Sequence, residues 1–477
     1  MWKPDRTSKK PLYQQISEQM ERRMLYGEFP PGSFLPSERR LADLIGVNRS
    51  TVVQAYAELR AKGIVESTTG SGTMVSKQAW GPADGLSPNW RNYVEGGTFA
   101  PNLPLIRRIR EVLRVKAPVI DFASGELSPD LFPNAAVKQL LKQAPFEATL
   151  GYDDPQGYLP LRQSLVPFLE QRLNIRTTES SILITSGSQQ SLYLITQCLL
   201  APGDAVAIED PSYAYSLPMF QSAGLRLFPL PVQEDGIQPE DIISLFRQHR
   251  IRMLFLNPNF QNPTGSILHP SRRAQLLRIA AELGIPLVED DPFSLTSFYG
   301  ELPQSLKSID THGSVLYVGS LSKIAASGFR IGWLIAPQSV VGRLADARQQ
   351  MDFGLSVIPQ WLANEFISSS LFDEHIGLLR QSLAAKQREM MACLRRELGD
   401  EVQFVPAHGG LNLWCKLHSA VDDFKLLEEC IKRGVVFMPG TVFGSRPGHV
   451  RLSFARPGLN EIGHGIAQFA RALRSLL

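Results

Sequence analysis

The stretch SVLYVGSLSKIAASGFRIGW, residues 314–333, decides how the larger part of this chain is interpreted. It opens with a mostly apolar run that predicts a buried strand, and Lys323 follows shortly after that run. A lysine at the end of a strand can form a Schiff base with an aldehyde cofactor. The nearby serines and Arg330 can hold a phosphate dianion, the arginine as a bidentate partner. The same residues also fit a simpler interpretation, a loop lysine among serines that form turns.

Similar apolar runs recur on either side of helical stretches from about Val119 onward. They are SILIT (181–185), AVAIE (205–209), MLFLN (253–257), PLVED (286–290) and SVLYVGS (314–320). Alternation of strands and helices predicts an α/β fold, with a mostly parallel sheet covered by helices.

Two polar motifs at strand ends suit parts of an aldehyde cofactor that carries a phosphate and a pyridine ring. Residues 185–190, TSGSQQ, open a helix, and the free N–H groups and dipole there favour a phosphate. Residues 289–292, EDDP, end another strand. A carboxylate there can pair with a protonated pyridine nitrogen and keep the ring an electron sink.

Three further motifs add an amide, an aromatic face and an arginine. Residues 257–265, NPNFQNPTG, predict a rigid turn in which the Asn262 amide can donate to a phenolate oxygen. Tyr213 offers an aromatic face that can stack on a ring. Arg451 lies in the predicted strand VRLSF, where it can clamp a carboxylate bidentately.

These motifs, in this order and at these spacings, resemble the fold-type I pyridoxal-phosphate (PLP) enzymes of the class I aminotransferases. The subgroup most similar in pattern includes kynurenine and 2-aminoadipate aminotransferases, and the resemblance runs from about residue 119 to 477. It implies that PLP binds as an aldimine of Lys323, the catalytic residue. The other implied cofactor contacts are Asp291 at the pyridine nitrogen, Asn262 at the phenolate oxygen, Tyr213 stacked on the ring, and Ser188, Gln189, Ser320, Ser322 and Arg330 at the phosphate.

The resemblance also implies two contacts beyond the cofactor ring. Arg451 would bind the carboxylate of an effector or substrate, and Tyr152 would reach the phosphate held by a neighbouring protomer. A core tyrosine is the simpler interpretation of Tyr152.

One position departs from the pattern of these aminotransferases. A tyrosine commonly sits three residues after the aspartate and donates to the cofactor oxygen, whereas Ser294 holds that position here and Phe293 precedes it. Without that donor the pKa of the aldimine would be higher. We therefore expect the cofactor to bind and at most weak transaminase chemistry to remain.

The N-terminal residues carry a helical pattern of a different kind. Apolar residues at helical spacing predict a first helix: Leu12, Ile16, Met20 and Met24. Ser37 can cap a second helix that ends at Gly46, and Asn48 can cap a third over residues 49–61. The predicted core face of the third helix is Val52, Val53, Tyr56 and Leu59. This is the helix-turn-helix plan, in which the start of the last helix faces the major groove.

A wing completes the pattern. Residues 63–75 predict two short strands joined by a Gly-rich tip, which lets the backbone approach a phosphate closely. The stretch LPSERRLADLIGVNRSTVVQAYAELRAKGIVESTTGSGTMV (35–75) resembles the GntR family of winged-helix regulators, and the resemblance covers residues 10–76. The implied DNA contacts are Arg39, Arg49, Ser50, Thr51 and the wing residue Gly70. The simpler interpretation makes the two arginines ordinary surface charges.

Charge and composition point the same way. Residues 1–77 carry a net charge of +4, residues 78–117 carry +3 and the remainder carries −4, so the basic end fits nucleic-acid contact. No apolar run approaches the roughly 18 residues that span a bilayer, and no signal-peptide pattern opens the chain. The cysteines lack metal-type spacing: Cys198, Cys393, Cys415 and Cys430. We expect a cytoplasmic protein with reduced thiols, no metal site and no membrane partner.

Together the two resemblances describe the architecture of the MocR subfamily. We expect a multidomain chain: a GntR-type winged helix-turn-helix (α+β) over residues 1–76, a linker over 77–117, and an α/β domain of the PLP-dependent transferase fold type I over 118–477, with a small C-terminal α+β subdomain. The expected partners are a double-stranded DNA operator, an effector (PLP itself or an amino acid) and a second copy of the chain. One expected arrangement of that homodimer is head-to-tail, with each DNA-binding domain lying over the larger domain of the other protomer.

Three functions remain open at this point. The first is a PLP-dependent transcriptional regulator. The second is a functional class I aminotransferase that carries a DNA-binding head, and the third is a DNA-binding protein whose larger domain serves only as a dimerisation scaffold. The first two both use Lys323, so its presence does not separate them.

Overall fold

The computed structural model describes residues 2–68, 72–76, 93–94, 96–115, 118–143, 145–146, 150–298, 302–419 and 421–477. The chain divides into two compact units, Met1–Thr98 and Phe99–Leu477. That division lies inside the stretch predicted as a linker, and the functional domain boundaries stay a prediction. No helix in the described ranges combines the length and apolar character needed to cross a membrane.

The N-terminal unit is a three-helix core with a two-stranded wing. Its elements are α1 (Leu12–Leu25), α2 (Glu38–Ile45), α3 (Arg49–Ala61), β1 (Val65–Thr68) and β2 (Gly72–Val75). The strands pair antiparallel, with Val65 opposite Val75. One apolar cluster holds the helices together, and it includes Ile16, Met20, Met24, Leu41, Val52, Tyr56 and Leu59.

The predicted caps of the N-terminal helices are partly confirmed. The Ser37 hydroxyl accepts the Arg40 N–H at 3.3 Å, and Gly46 ends α2 in the left-handed conformation with φ 71°. Asn48 occupies the N-cap position of α3, but its side chain makes no capping hydrogen bond. Val53 is only half-buried, because Ala55 lies on the core face of α3 instead.

The larger unit is built on an eight-stranded sheet. Its strands are β4 (Ile182–Thr185), β5 (Ala205–Asp210), β6 (Arg226–Gln233), β7 (Gly236–Ile237), β8 (Met253–Leu256), β9 (Leu287–Asp290), β10 (Val315–Ser320) and β11 (Gly332–Ile335), in the order β4-β11-β10-β9-β8-β5-β6-β7. The five strands from β10 to β6 are parallel, while β11 and β7 run antiparallel to their neighbours. The five strands predicted from the apolar runs are confirmed.

Helices cover both faces of this sheet, as the alternation of buried strand residues requires. Met253 and Phe255 of β8 pack towards α7 (Ser188–Cys198) and α11 (Gln338–Asp352). Leu254 and Leu256 of the same strand pack towards α9 (Glu240–His249) and α10 (Pro270–Leu283). Successive residues of one strand therefore pack into different layers, on opposite faces of the sheet.

A second, smaller sheet confirms the predicted C-terminal α+β subdomain. It contains β3 (Ile120–Phe122), β12 (Val402–Phe404), β13 (Asn412–Leu417), β14 (Val435–Pro439) and β15 (His449–Ser453), in the order β12-β13-β15-β14-β3. The remaining helices are α4 (Pro104–Arg114), α5 (Asn134–Gln143), α6 (Leu159–Leu173), α8 (Met219–Ser222), α12 (Val357–Ile367), α13 (Ser370–Leu398), α14 (Asp423–Lys432) and α15 (Leu459–Arg474). Helix α4 lies inside the predicted linker and belongs to the larger unit.

Candidate functional site

A cavity opens where the parallel strands of the large sheet end. It has a volume of about 360 Å³, within the range of roughly 300–1,000 Å³ common for small-ligand pockets. This edge of an open α/β sheet is where ligands bind. Eight of the residues predicted for the site line the cavity: Ser188, Gln189, Tyr213, Asn262, Ser322, Lys323, Arg330 and Arg451.

Lys323 ends a 3₁₀ turn that directly follows β10. Its Nζ donates to the Gly125 carbonyl oxygen at 2.5 Å. Burial lowers the pKa of Lys323 to about 8, and the positive charge of Arg451 adds to that effect while Glu126 opposes it. An amine in this state is neutral, and hence nucleophilic, at a lower pH than an ordinary lysine.

An anion cradle lies beside the lysine at the start of α7. Gly187 precedes the helix with φ 89°, and a Cβ added there would lie 3.1 Å from Arg330 Nη2. Glycine thus lets the guanidinium approach the helix N-terminus. Arg330 donates to the carbonyl oxygens of Ser186 and Ser327. Helix N–H groups next to an arginine form a site for a phosphate.

Ser320 is not among the residues that line the cavity, and its predicted phosphate contact stays a prediction. Its buried hydroxyl donates to the Ile331 carbonyl oxygen at 3.2 Å and lies 3.0 Å from the Ser322 hydroxyl. The Ser322 N–H donates back to the Ser320 oxygen at 3.1 Å. Ser320 therefore holds the turn that presents Ser322 and Lys323.

The acid that faces the cavity is Asp290, and the prediction of Asp291 for this position was wrong. Asp290 follows Val288 on the strand face that packs towards α7, and both residues line the cavity. Asp291 lies on the opposite side, where its carboxylate accepts hydrogen bonds from the Ser294 hydroxyl at 2.7 Å and the Tyr317 hydroxyl at 3.1 Å. Adjacent residues of a strand point to opposite faces, so both acids cannot reach one cavity.

Asp290 is an unusual carboxylate. Its Oδ1 is buried and has no hydrogen-bond partner among the described residues. Burial raises the pKa of Asp290 to about 7, and Asp291 adds to that rise while Lys323 opposes it. A buried carboxylate oxygen without a donor is suited to a ligand that brings its own N–H or positive charge.

Because Asp290 rather than Asp291 faces the cavity, the position at which these aminotransferases commonly have a tyrosine also changes by one residue. The third residue after Asp290 is Phe293, which lines the cavity and offers no hydroxyl. Ser294 is buried away from the cavity, where its hydroxyl accepts from the Asn259 amide at 2.9 Å. The expected loss of a hydroxyl donor therefore applies to Phe293 rather than to Ser294.

Arg451 also lines the cavity and is buried. Its Nη1 donates to the Asn262 side-chain oxygen at 3.0 Å, and its Nη2 donates to the Ala123 carbonyl oxygen. Its Nε has no partner among the described residues, and burial lowers the pKa of Arg451 to about 10. Since Asn262 accepts from Arg451 through its oxygen, its amide nitrogen is left to donate to a ligand.

Tyr152 does not line this cavity. Its side chain is 89 % exposed, and its ring lies 5.7 Å from that of Phe353, which is also exposed. The simpler interpretation of a core tyrosine was wrong, and its contact with a neighbouring protomer stays a prediction.

Besides Asp290, the lining residues that sequence reasoning missed include Phe293 and Arg110. Phe293 was noticed only as a neighbour of Ser294. Arg110 lines the cavity from α4, together with Ile106, Ile109 and Leu113. Their spacing of three and four residues was the available signal for a helix face directed inwards.

The second candidate site is the exposed start of α3. Arg49 and Ser50 are exposed, Thr51 is half-buried, and Arg39 is exposed on α2. Arg49 Nη2 lies 3.2 Å from Glu38 Oε2, and a surface pair of this kind contributes only about 0–1 kcal/mol, so it can open when a phosphate is offered. Gly70, predicted at the wing tip, lies outside the described residues.

Comparison with known families and proteins matches both parts of the chain. Residues 12–75 match the gntR family of bacterial regulatory proteins, and residues 117–469 match aminotransferase class I and II. The HTH-type transcriptional regulator YisV of Bacillus subtilis is 35 % identical over 100 % of this chain and 99 % of its own length. The HTH-type transcriptional regulator NorG of Staphylococcus aureus is 27 % identical over 91 % of this chain and 97 % of its own.

Solved structures of aminotransferases match the larger unit. Kynurenine aminotransferase of Pyrococcus horikoshii aligns with a TM-score of 0.74 and 27 % identity, covering 83 % of this chain and 99 % of that one. The α-aminoadipate aminotransferase LysN of Thermus thermophilus aligns with a TM-score of 0.72 and 29 % identity, covering 82 % and 99 %. The predicted transferase fold is thereby confirmed. The first of these structures is a complex with PMP, and the second is a complex with N-(5′-phosphopyridoxyl)-L-leucine.

The lowered pKa of Lys323 predicts a distinctive pH profile of amine reactivity. The neutral amine is the reactive form, so labelling of Lys323 by acetic anhydride should rise with pH through about 8, whereas an ordinary lysine titrates near about 10.4. Arg451→Gln should move the profile to higher pH, because one opposing positive charge is lost. Glu126→Gln should move it to lower pH.

Mass spectrometry of the labelled digest measures this profile, and the exposed Lys138 supplies the internal standard. A Lys323 profile that follows ordinary lysines, or that is unchanged in both variants, would contradict the electrostatic description of the site.

Proposed function

Because the chain belongs to the gntR family of bacterial regulatory proteins and carries an aminotransferase class I and II domain, the MocR architecture, we propose that PLP controls its regulatory activity. In this proposal the cavity binds PLP through Lys323 and senses either PLP itself or an amino-acid effector. DNA binding belongs to the gntR-type unit, and the operator it recognises would be double-stranded.

The observation that carries the PLP proposal is the pairing of a buried acid with a low-pKa lysine in one cavity. The unpartnered Oδ1 of Asp290 fits a protonated pyridine nitrogen, and Lys323 fits an aldehyde. When bound, PLP supplies that aldehyde together with a ring that accepts electrons. The two groups lie in the same cavity, so one small molecule can satisfy both.

The other lining residues have roles that match the remaining parts of PLP. The phosphate would be held at the start of α7 by Ser188 and Gln189, together with Ser322 and Arg330. Tyr213 would stack on the ring, and the Asn262 amide would donate to the phenolate oxygen. Arg451 is left to bind the carboxylate of an effector.

Phe293 favours a regulator over an enzyme. A hydroxyl at this position would help to set the proton affinity of the bound cofactor, and a phenyl ring cannot donate a hydrogen bond. The rival function, an aminotransferase with a DNA-binding head, requires steady-state transamination at rates of roughly 1–1,000 per second. Rates in that range with common amino acids would favour the rival.

A homodimer is the proposed assembly. Large apolar side chains are exposed around one loop and the end of α11: Leu150, Tyr152, Met351 and Phe353. Exposed apolar side chains that cluster mark protein interfaces. In such a dimer Tyr152 would reach the phosphate of the neighbouring cavity.

The proposed PLP site predicts that substitutions of the adjacent acids Asp290 and Asp291 differ in their effect on PLP affinity. The full-length protein is loaded with PLP, reduced with borohydride, digested and analysed by mass spectrometry. The cofactor should be found on Lys323 and be absent from Lys323→Ala. Asp290→Asn should weaken PLP binding by about ten- to a hundredfold, because it removes a charged partner of the ring nitrogen.

Asp291→Asn is the matched control, with the same change one residue along the strand. It should leave PLP affinity nearly unchanged and lower the melting temperature, because it disturbs the bonds from Ser294 and Tyr317. The opposite ranking would restore Asp291 as the cofactor acid, and absence of cofactor from the wild-type digest would reject PLP binding.

The DNA-binding surface predicts a change in salt dependence. Arg49→Ala should weaken operator binding and reduce the slope of log affinity against log salt by about 1, as expected for the loss of one phosphate contact. Fluorescence anisotropy with DNA from upstream of the coding region, at several salt concentrations, measures both effects. Arg60→Ala, in the last turn of the same helix, is the control and should keep the wild-type slope. Equal slopes for all three proteins would place the DNA contacts elsewhere.

A further inference from the structure

Residues 2–10 form an arm that precedes α1 and lies outside the range of the chain that matches the gntR family. Pro4 is buried, although the other residues of the arm are exposed. The Asp5 carboxylate accepts the Thr7 N–H at 2.8 Å and the Thr7 hydroxyl at 2.6 Å. This arrangement is a turn closed by an aspartate side chain, and Arg6 is its central residue.

Gln15 of α1 fixes the arm at two points. Its side-chain oxygen accepts the Asp5 N–H at 2.9 Å, and its amide nitrogen donates to the carbonyl oxygens of Asp5 at 2.9 Å and Lys10 at 2.7 Å. Helix α1 shares one apolar core with the other two helices of the N-terminal unit. The arm is therefore held in place relative to the helix-turn-helix.

Arg6 reaches from the arm to the turn between α2 and α3. Its Nη2 donates to the Gly46 carbonyl oxygen at 2.7 Å. Gly46 ends α2 and precedes Asn48, the N-cap residue of α3, by two positions. The guanidinium group therefore lies beside the start of the helix whose first residues face the major groove in the helix-turn-helix plan.

The charge of Arg6 is not neutralised by a carboxylate in the described part of the chain. Its neighbour Asp5 accepts hydrogen bonds from Thr7 instead, whereas Lys10 in the same arm is paired with Glu18. The contact with Gly46 uses one of the five N–H groups of the guanidinium. The remaining N–H groups are suited to charge-assisted hydrogen bonds with an anion.

We propose that Arg6 binds a phosphate of the DNA backbone beside the major groove that α3 enters, so that the arm extends the DNA-binding surface beyond the winged helix. This rests on the proposed function for DNA binding by the gntR-type unit. A phosphate fits better than a base edge, because Arg6 is held at the turn and does not belong to the helix that enters the groove.

The test measures DNA affinity at several salt concentrations by fluorescence anisotropy with the full-length protein. One duplex is DNA from upstream of the coding region, and the other is a scrambled duplex of the same composition. Arg6→Gln should weaken binding to both by about three- to tenfold and reduce the slope of log affinity against log salt by about 1. Lys62→Gln, the same loss of charge at the opposite end of α3, is the control and should keep the wild-type slope.

Gln15→Ala tests the placement of Arg6 without a change of charge. It removes the three hydrogen bonds that hold the arm to α1, so it should lower the affinity and the salt slope, by no more than Arg6→Gln does. In the double variant the loss should equal that of Arg6→Gln alone, because both substitutions remove the same contact. Fully additive losses would contradict the role of the arm in placing Arg6.

Two other results overturn the proposal. One is a wild-type salt slope in Arg6→Gln, and the other is a loss of affinity confined to the upstream DNA, which would make Arg6 a base contact. Arg49→Ala separates the arm from the proposed function. If its slope falls while that of Arg6→Gln does not, only the arm contact is rejected. A wild type that binds neither duplex would reject the proposed function and the arm contact together.

Discussion

The parallel pairing of β5, β8, β9 and β10 is the constraint on which the cavity depends, because it brings the ends of these strands to one edge of the sheet. Asp290 and Lys323 come from neighbouring strands and meet there. The side-chain alternation of β9 then decides that Asp290 enters the cavity while Asp291 bonds to Tyr317 behind it. A shift of β9 by one residue would exchange the two acids and leave the cavity without its unpartnered carboxylate oxygen.

The buried ionisable groups at this edge of the sheet affect one another's pKa values, and they are placed to bind charged groups of a ligand. The pKa of Lys323 is lowered to about 8 and that of Asp290 is raised to about 7, both chiefly by burial. Each group is thus close to changing its protonation state near neutral pH, where a bound ligand of matching charge has most influence. Lys323 and Arg451 meanwhile donate to backbone carbonyl oxygens of Gly125 and Ala123. A ligand that binds Lys323 or Arg451 must therefore replace a hydrogen bond to the backbone of residues 123–125.

Much of the architecture follows from local sequence. Apolar runs gave the strands of the large sheet, and turn and cap residues such as Ser37 and Gly46 gave the helix-turn-helix. The choice between Asp290 and Asp291 could not be read in the same way, because it depends on which face of β9 meets α7. Ser320 looked equivalent to Ser322 for the same reason, and only the turn geometry shows that it bonds to Ile331. Arg110 was missed although Ile106, Ile109 and Leu113 recur at helical spacing beside it, because its place at the cavity depends on tertiary packing.

The central claim is that the larger domain regulates DNA binding by the gntR-type unit. Such coupling requires that the ligand bind two states of the protein with different affinity. The direct measurement is the affinity of the full-length protein for DNA from upstream of its coding region, without PLP, with PLP, and with PLP plus an amino acid. The account predicts a change of about 5- to 150-fold between at least two of these conditions, absent in Lys323→Ala. Equal affinities under all three conditions, in a protein shown to carry PLP, would contradict it.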